Sequence, residues 1–236
     1  MEKTNWACSD SDDIEEGLKV YLSGFLTEER MARLKDVLGR RTRHLTVVME
    51  DIHQPHNGNA VIRSCECFGI QDLHIIEHKS RFSISKKVGS GAWKWIDIKK
   101  YKGVHATEQC INSLKDKGYR VLAATPHTDD ISIGDYQLDT KTAIMFGSEH
   151  TGLSPKAMDL ADGFIKIPMH GFTESLNISV CAAIMIQNLR EKLDASSLDW
   201  RLKEEEAEEI IRRWVRKSVK KPHMLEKQYF SIIKKA

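Results

Sequence analysis

Three short stretches set polar and charged side chains where chemistry, not solvation, gives them a purpose. The first, DIHQPHNGNAVIR at 51–63, places Asn57 at a turn and Arg63 six residues later on the helix that follows, so both can face one pocket. The second, FGSEHTGLS at 146–154, sets Glu149 between Gly147 and Gly152. The third, IPMHGFTESLN at 167–177, ends in Ser175 and Asn177 and leads straight into an apolar run at 178–186. A guanidinium, a carboxylate, amides and a hydroxyl can together orient a hydroxyl nucleophile, grip a phosphate and stabilise developing negative charge. Each stretch alone has a plainer reading: Asn57-Gly58 as a turn, Glu149 as a helix-entry charge, Ser175 as an N-cap. Three together favour a site.

The elements that must carry these loops are legible as strands and helices in alternation. LTVVME (45–50), LHIIE (73–77), YRVLAAT (119–125), TAIMFG (142–147) and FIKIP (164–168) are short, apolar and rich in β-branched residues. Helical patterns near 59–68, 104–117 and 155–161 separate most of them. That alternation predicts an α/β fold with a mostly parallel sheet covered on both faces. Such sheets bind ligands in the loops beyond the carboxyl ends of their strands, which is where the three stretches fall. The run at 178–186 is too short to span a membrane, which needs roughly 20 apolar residues.

Other chemistries fit less well. No G-x-G-x-x-G is present, and after Gly147 and Gly152 the chain continues Leu153-Ser154 where a phosphate loop needs Lys and Ser or Thr. His53 and His56 lack a completing ligand, so no metal is expected. The odd set of cysteines, Cys8, Cys65, Cys67, Cys110 and Cys181, matches no disulfide framework and fits a reducing compartment. Asp10, Asp12, Asp13, Glu15 and Glu16 argue against a targeting peptide, so a cytoplasmic protein is expected.

A net charge of +2 leaves any nucleic-acid footprint to local clusters. Residues 1–26 read as a loose acidic arm. From Thr27, a capped helix carries Met31, Leu34, Val37 and Leu38 on one face, while its polar side and exit hold Arg30, Arg33, Arg40, Arg41 and Arg43. Near the other end, RRWVRKSVKK (212–221) read as one helix puts Arg212, Arg213, Arg216, Lys217, Lys220 and Lys221 on one half and Ile211, Trp214, Val215 and Val219 on the other. Segregation of that kind serves either a solvated face or RNA phosphates.

In this order the three loops resemble the signature motifs of the SpoU group of SPOUT RNA 2′-O-ribose methyltransferases. Asn57 with Arg63 matches the first motif, Gly147, Glu149 and Gly152 the second, and Ile167, Pro168, Ser175, Leu176 and Asn177 the third. GAWKW (91–95) and the flanking helices look most like the branch acting on guanosine 18 of tRNA. The resemblance implies a knotted SPOUT fold with a C-terminal trefoil knot, S-adenosylmethionine bound among the knot loops, and a homodimer whose subunits pair to complete the site. It implies a methyltransferase domain over 45–193, an N-terminal arm and basic helix over 1–44, and a charged helical extension over 194–236. Thr125, Gly147, Ile167, Met169 and Leu176 would line the cofactor pocket. Arg63 would be catalytic, with Asn57 and Glu149 orienting it and the ribose, and Ser175 and Asn177 shaping the pocket. Because a guanidinium keeps its proton, a bidentate phosphate clamp suits that arginine better than a base does. No room precedes 45 for an added RNA-binding domain, which favours tRNA over ribosomal RNA. Neither DNA nor a membrane is an expected partner, and a non-catalytic RNA-binding factor is the rival from another class.

Overall fold

The computed structural model describes residues 9–84, 91–126 and 131–234. The chain divides into two compact units, Arg41–Arg201 and a second made of Met1–Arg40 with Leu202–Ala236. Helices in chain order are α1 (Ser9–Ser23), α2 (Glu28–Leu38), α3 (Pro55–Cys67), α4 (Ala106–Lys115), α5 (Pro155–Leu160), α6 (Ile178–Ala195), α7 (Glu204–Ser218) and α8 (Pro222–Ile233). The strands are β1 (Leu45–Glu50), β2 (Asp72–Glu77), β3 (Asp97–Lys102), β4 (Arg120–Ala124), β5 (Ile131–Ser132), β6 (Thr142–Phe146) and β7 (Gly163–Lys166).

The Arg41–Arg201 unit is a parallel sheet in the order β3-β2-β1-β6-β4-β7-β5. β1 is buried along its whole length because helices cover both faces. Leu45, Val47 and Met49 point to one side, where Val61, Ile62 and Cys65 of α3 and Met185, Ile186 and Leu189 of α6 close the core. Val48 points to the other with Ile76, Val121 and Met145, under Cys110, Ile111 and Leu114 of α4. Two strands escape the sequence reading. β3, DIKKYK, is an edge strand whose Lys100 and Lys102 reach the buried carboxylate of Glu77, and β5 is two residues long.

The second unit is helical, and it corrects the expectation of a loose N-terminal arm. Residues 1–8 lie outside the described residues, but Ser9–Ser23 forms α1, with Leu22 buried and Lys19 paired to Glu208 of α7 at 2.7 Å. α1 packs on α7 and α8, more than 180 residues away in sequence, so its stability comes from partners that local composition does not reveal. α2 starts as expected, with Thr27 accepting from the Arg30 amide. α7 ends at Ser218, which corrects the single-helix reading of 212–221. Lys220 lies beyond it, and Lys221, at φ 52°, leads into α8 instead.

Candidate active site

The ends of β1, β4, β6 and β7 surround a cleft of about 570 Å³. Asn57, Glu149, Ser175 and Asn177 line it, together with Thr125, Gly147, Ile167, Met169 and Leu176. Asn57 does not lie at a turn, as its Gly neighbour suggested. It sits in the first turn of α3, which starts at Pro55, and it is buried. Gly58 follows it because a Cβ there would stand 2.3 Å from the ring of Phe82.

The Asn57 amide is the hub of the cleft. Its Nδ2 donates to Glu149 Oε1 at 2.7 Å, and its Oδ1 accepts from Asn177 Nδ2 at 3.3 Å. Asn177 caps α6 as well, accepting from the Ser179 amide at 2.9 Å. One chain of contacts thus joins all three loops. Glu149 also accepts from the backbone amides of His53 at 3.1 Å and Gln54 at 3.4 Å. Burial pushes its carboxyl up, but the hydrogen bonds from Asn57 and those amides outweigh this and hold it below the usual carboxylate range. Its loop is closed on itself, because Ser148 and Gly152 exchange backbone hydrogen bonds of 3.0 Å each way. A Cβ on Gly147 would lie 2.1 Å from the Gly152 carbonyl carbon, so only glycine fits.

Arg63 is not with them. It stands exposed on α3 and does not line the cleft. At about 100° per residue, six residues carry it about 240° around the helix from Asn57. Both residues on one pocket wall would require a break in α3, and α3 is continuous. The apolar run at 178–186 is not buried throughout. α6 buries Ala182, Met185 and Ile186, whereas Val180 and Ile184 are 46% and 40% exposed. Sequence reasoning missed the backbone role of His53 and Gln54, whose signal was their place directly after β1. It also missed Cys181, which lines the cleft; burial pushes its thiol up to about 11, so it is no nucleophile.

The basic residues divide in a similar way. Arg41 is buried at 1% exposure, pairs with Glu66 at 3.0 Å and donates to the Ile70 carbonyl, which withdraws it from any phosphate. Arg33 and Arg40 are exposed but share Asp36. Arg212 and Arg213 are half-buried, Arg213 lies 3.8 Å from Glu209, and Arg216 pairs with Glu226 of α8. Lys217, Lys220 and Lys221 are exposed just before and after Ser218, whose hydroxyl receives Arg30 at 3.4 Å. Among the described residues no group of three His, Cys, Asp or Glu could hold a metal ion, and no helix is long and apolar enough to cross a membrane.

Comparison with known proteins places the chain in a family. Residues 44–187 match the SpoU rRNA Methylase family. The chain is 39% identical over 215 residues to a tRNA (guanosine(18)-2′-O)-methyltransferase of Borreliella burgdorferi, covering 91% of this chain and 97% of that one. It is 34% identical over 193 residues to the protein of that name from Thermus thermophilus, covering 81% and 98%. Among solved structures, the TrmH/SpoU tRNA modifying enzyme of A. aeolicus superposes with a TM-score of 0.73 at 27% identity, over 82% of this chain and 98% of that one.

Proposed function

We propose, from the premise that this chain belongs to the SpoU rRNA methylase family, that it methylates a ribose 2′-hydroxyl of tRNA, at guanosine 18. The observation that carries this reading is the Glu149–Asn57–Asn177 contact chain at the strand ends, built from all three motif loops. Relatives that match nearly end to end and bear the guanosine-18 name favour tRNA over ribosomal RNA.

The cleft suits S-adenosylmethionine. Phe146, Ile167, Leu176 and Met185 offer an apolar wall for a purine, and Glu149 and Glu174 offer carboxylates to the sulfonium and ammonium of the cofactor. Bound there, this cofactor supplies an electrophilic methyl group. The protein's own work is to position a poor nucleophile and to stabilise the charge that develops on it. Asn57 and Glu149 fix the cleft's polar wall, and Ser175 and Asn177 fix its α6 side. Arg63 clamps the phosphate beside the attacking oxygen and steadies the charge that develops there.

Because Arg63 stands outside its own chain's cleft, the proposal includes a symmetric homodimer. Val180 and Ile184 leave an apolar face on α6, which packs beside α3. A second copy over that face would cover it and bring the partner's Arg63 within reach of the cleft. A 27 kDa monomer in light scattering at micromolar concentration would overturn the dimer. A trefoil knot within Arg41–Arg201 and a cytoplasmic location belong to the same reading.

The test is to map 2′-O-methyl groups in tRNA and ribosomal RNA from cells with and without the gene. Loss at guanosine 18 of tRNA is expected. Loss confined to ribosomal RNA would move the substrate there, and no loss anywhere would leave a non-catalytic RNA-binding factor.

A further inference from the structure

Glu50, the last residue of β1, is 2% exposed. It lies outside the cleft lining, and among the described residues no lysine or arginine pairs with it. The His78 ring stands nearby, with Nε2 3.8 Å from Glu50 Oε1, and a buried carboxylate must in any case be met by hydrogen-bond donors, or it costs several kcal/mol. Glu50 has three. Thr107 of α4 gives its hydroxyl at 2.6 Å, and Ser154 gives both its backbone amide at 2.8 Å and its hydroxyl at 2.9 Å. The His78 ring closes the far end, with Nε2 2.7 Å from Thr107 Oγ1.

Ser154 is where this network meets the cleft. It is the N-cap of α5, accepting from the Ala157 amide at 3.1 Å, and it follows directly on the loop that carries Glu149. That loop is held at its tip by Asn57, at its waist by the Ser148–Gly152 pair and at its exit by Glu50.

We propose that Glu50 is a positioning residue for the cleft: through Ser154 it fixes the exit of the Glu149 loop, and Thr107 holds Glu50 in place to do so. This rests on the reading of the cleft as a site for S-adenosylmethionine. A purely architectural Glu50 would affect global stability and leave the loop's local order and the cofactor affinity alone. A positioning Glu50 acts on both.

Thr107 gives a clean test, since it touches neither the loop nor the cleft. Thr107→Ser keeps the hydroxyl, and Thr107→Val keeps the shape and loses it. Two quantities are measured on the full chain: the Kd for S-adenosylmethionine by calorimetry, and hydrogen exchange at the Ser148 and Gly152 amides without cofactor. Thr107→Val should raise both the Kd and those exchange rates by about tenfold, within the range of coupling through packed networks. Thr107→Ser should behave as wild type. Glu50→Gln, which replaces one acceptor oxygen by an amide, should repeat the Thr107→Val result and stands in if that variant fails to fold. Unchanged loop exchange and Kd in a folded Val or Gln variant would overturn the proposal, whatever happens to the melting temperature. Faster exchange with no cofactor bound by wild type would instead bring down the reading of the cleft.

Discussion

Asn57 shows why some side chains of this cleft cannot be exchanged for close relatives. An amide is uncharged and both donates and accepts, and this one does so in opposite directions, toward Glu149 and from Asn177. That Asn57, Glu149, Ser175 and Asn177 would line one cleft was legible because each follows an apolar strand or heads an apolar helix. The place of Arg63 was not legible, because helix phase depends on where the helix starts. α3 begins at Pro55, four residues before the apolar pattern suggested, and Asn57 belongs to its first turn. The role of Arg63 has a direct test. Arg63→Lys keeps the charge and loses the planar fork. Single-turnover methylation of a tRNA transcript at saturating enzyme should slow by at least about a hundredfold, the scale of one lost transition-state donor. S-adenosylmethionine binding should stay intact. Transfer near the wild-type rate would strip Arg63 of its role.

Among the elements, the 147–152 loop is the most tightly specified. Gly147→Ala drives a methyl group into backbone at 2.1 Å, which cannot swing aside as a side chain can. It should abolish measurable S-adenosylmethionine binding in calorimetry while the far-UV circular dichroism of the sheet persists. Gly171→Ala meets nothing within 4 Å and serves as the neutral control. The buried strands of the sheet were readable because β1, β2, β4 and β6 are covered on both faces and are therefore mostly apolar. β3 was hidden because an edge strand tolerates lysines, and α1 because its buried face finds its partners at the other end of the chain. The basic helix was over-read. α7 ends at Ser218, and Arg30, Lys217, Lys220 and Lys221 gather around that residue, which makes them the set we propose for phosphates. Replacing Arg30, Lys220 and Lys221 by Gln should flatten the salt dependence of tRNA binding by up to about one logarithmic slope unit per lost contact. Filter binding across a salt series reads this, and an unchanged slope would make these residues mere solvation.

For the molecule as a whole, His74 sets an acid limit. Burial, then the charges of Lys117 and Lys99, push it down from 6.5 to about 4. The unfolded chain therefore takes up a proton near pH 6.5 that the folded chain refuses until about 4. Stability is full above the higher value and falls through that window, by about 3 kcal/mol from this group. Urea titrations at pH 7 and pH 4.5 should show the loss, and His74→Gln should remove most of that difference. An equal pH dependence in the Gln variant would assign the effect elsewhere.

The strand order has a consequence for how this protein is made. β6 lies between β1 and β4, although both precede it in the chain, and the helical unit joins the first forty residues to the last thirty-five. During synthesis, β1 and β4 leave the ribosome with facing edges open, and about twenty residues must follow β4 before the strand that fills the gap is made. Unpaired parallel edges of this kind invite association with other chains, and long-range pairing closes slowly. The nascent chain must pass this interval unfinished, and α1 must wait until translation reaches α7 and α8. Chaperone occupancy along the message should be greatest between the codons for β4 and β7 and should end only with the last helix.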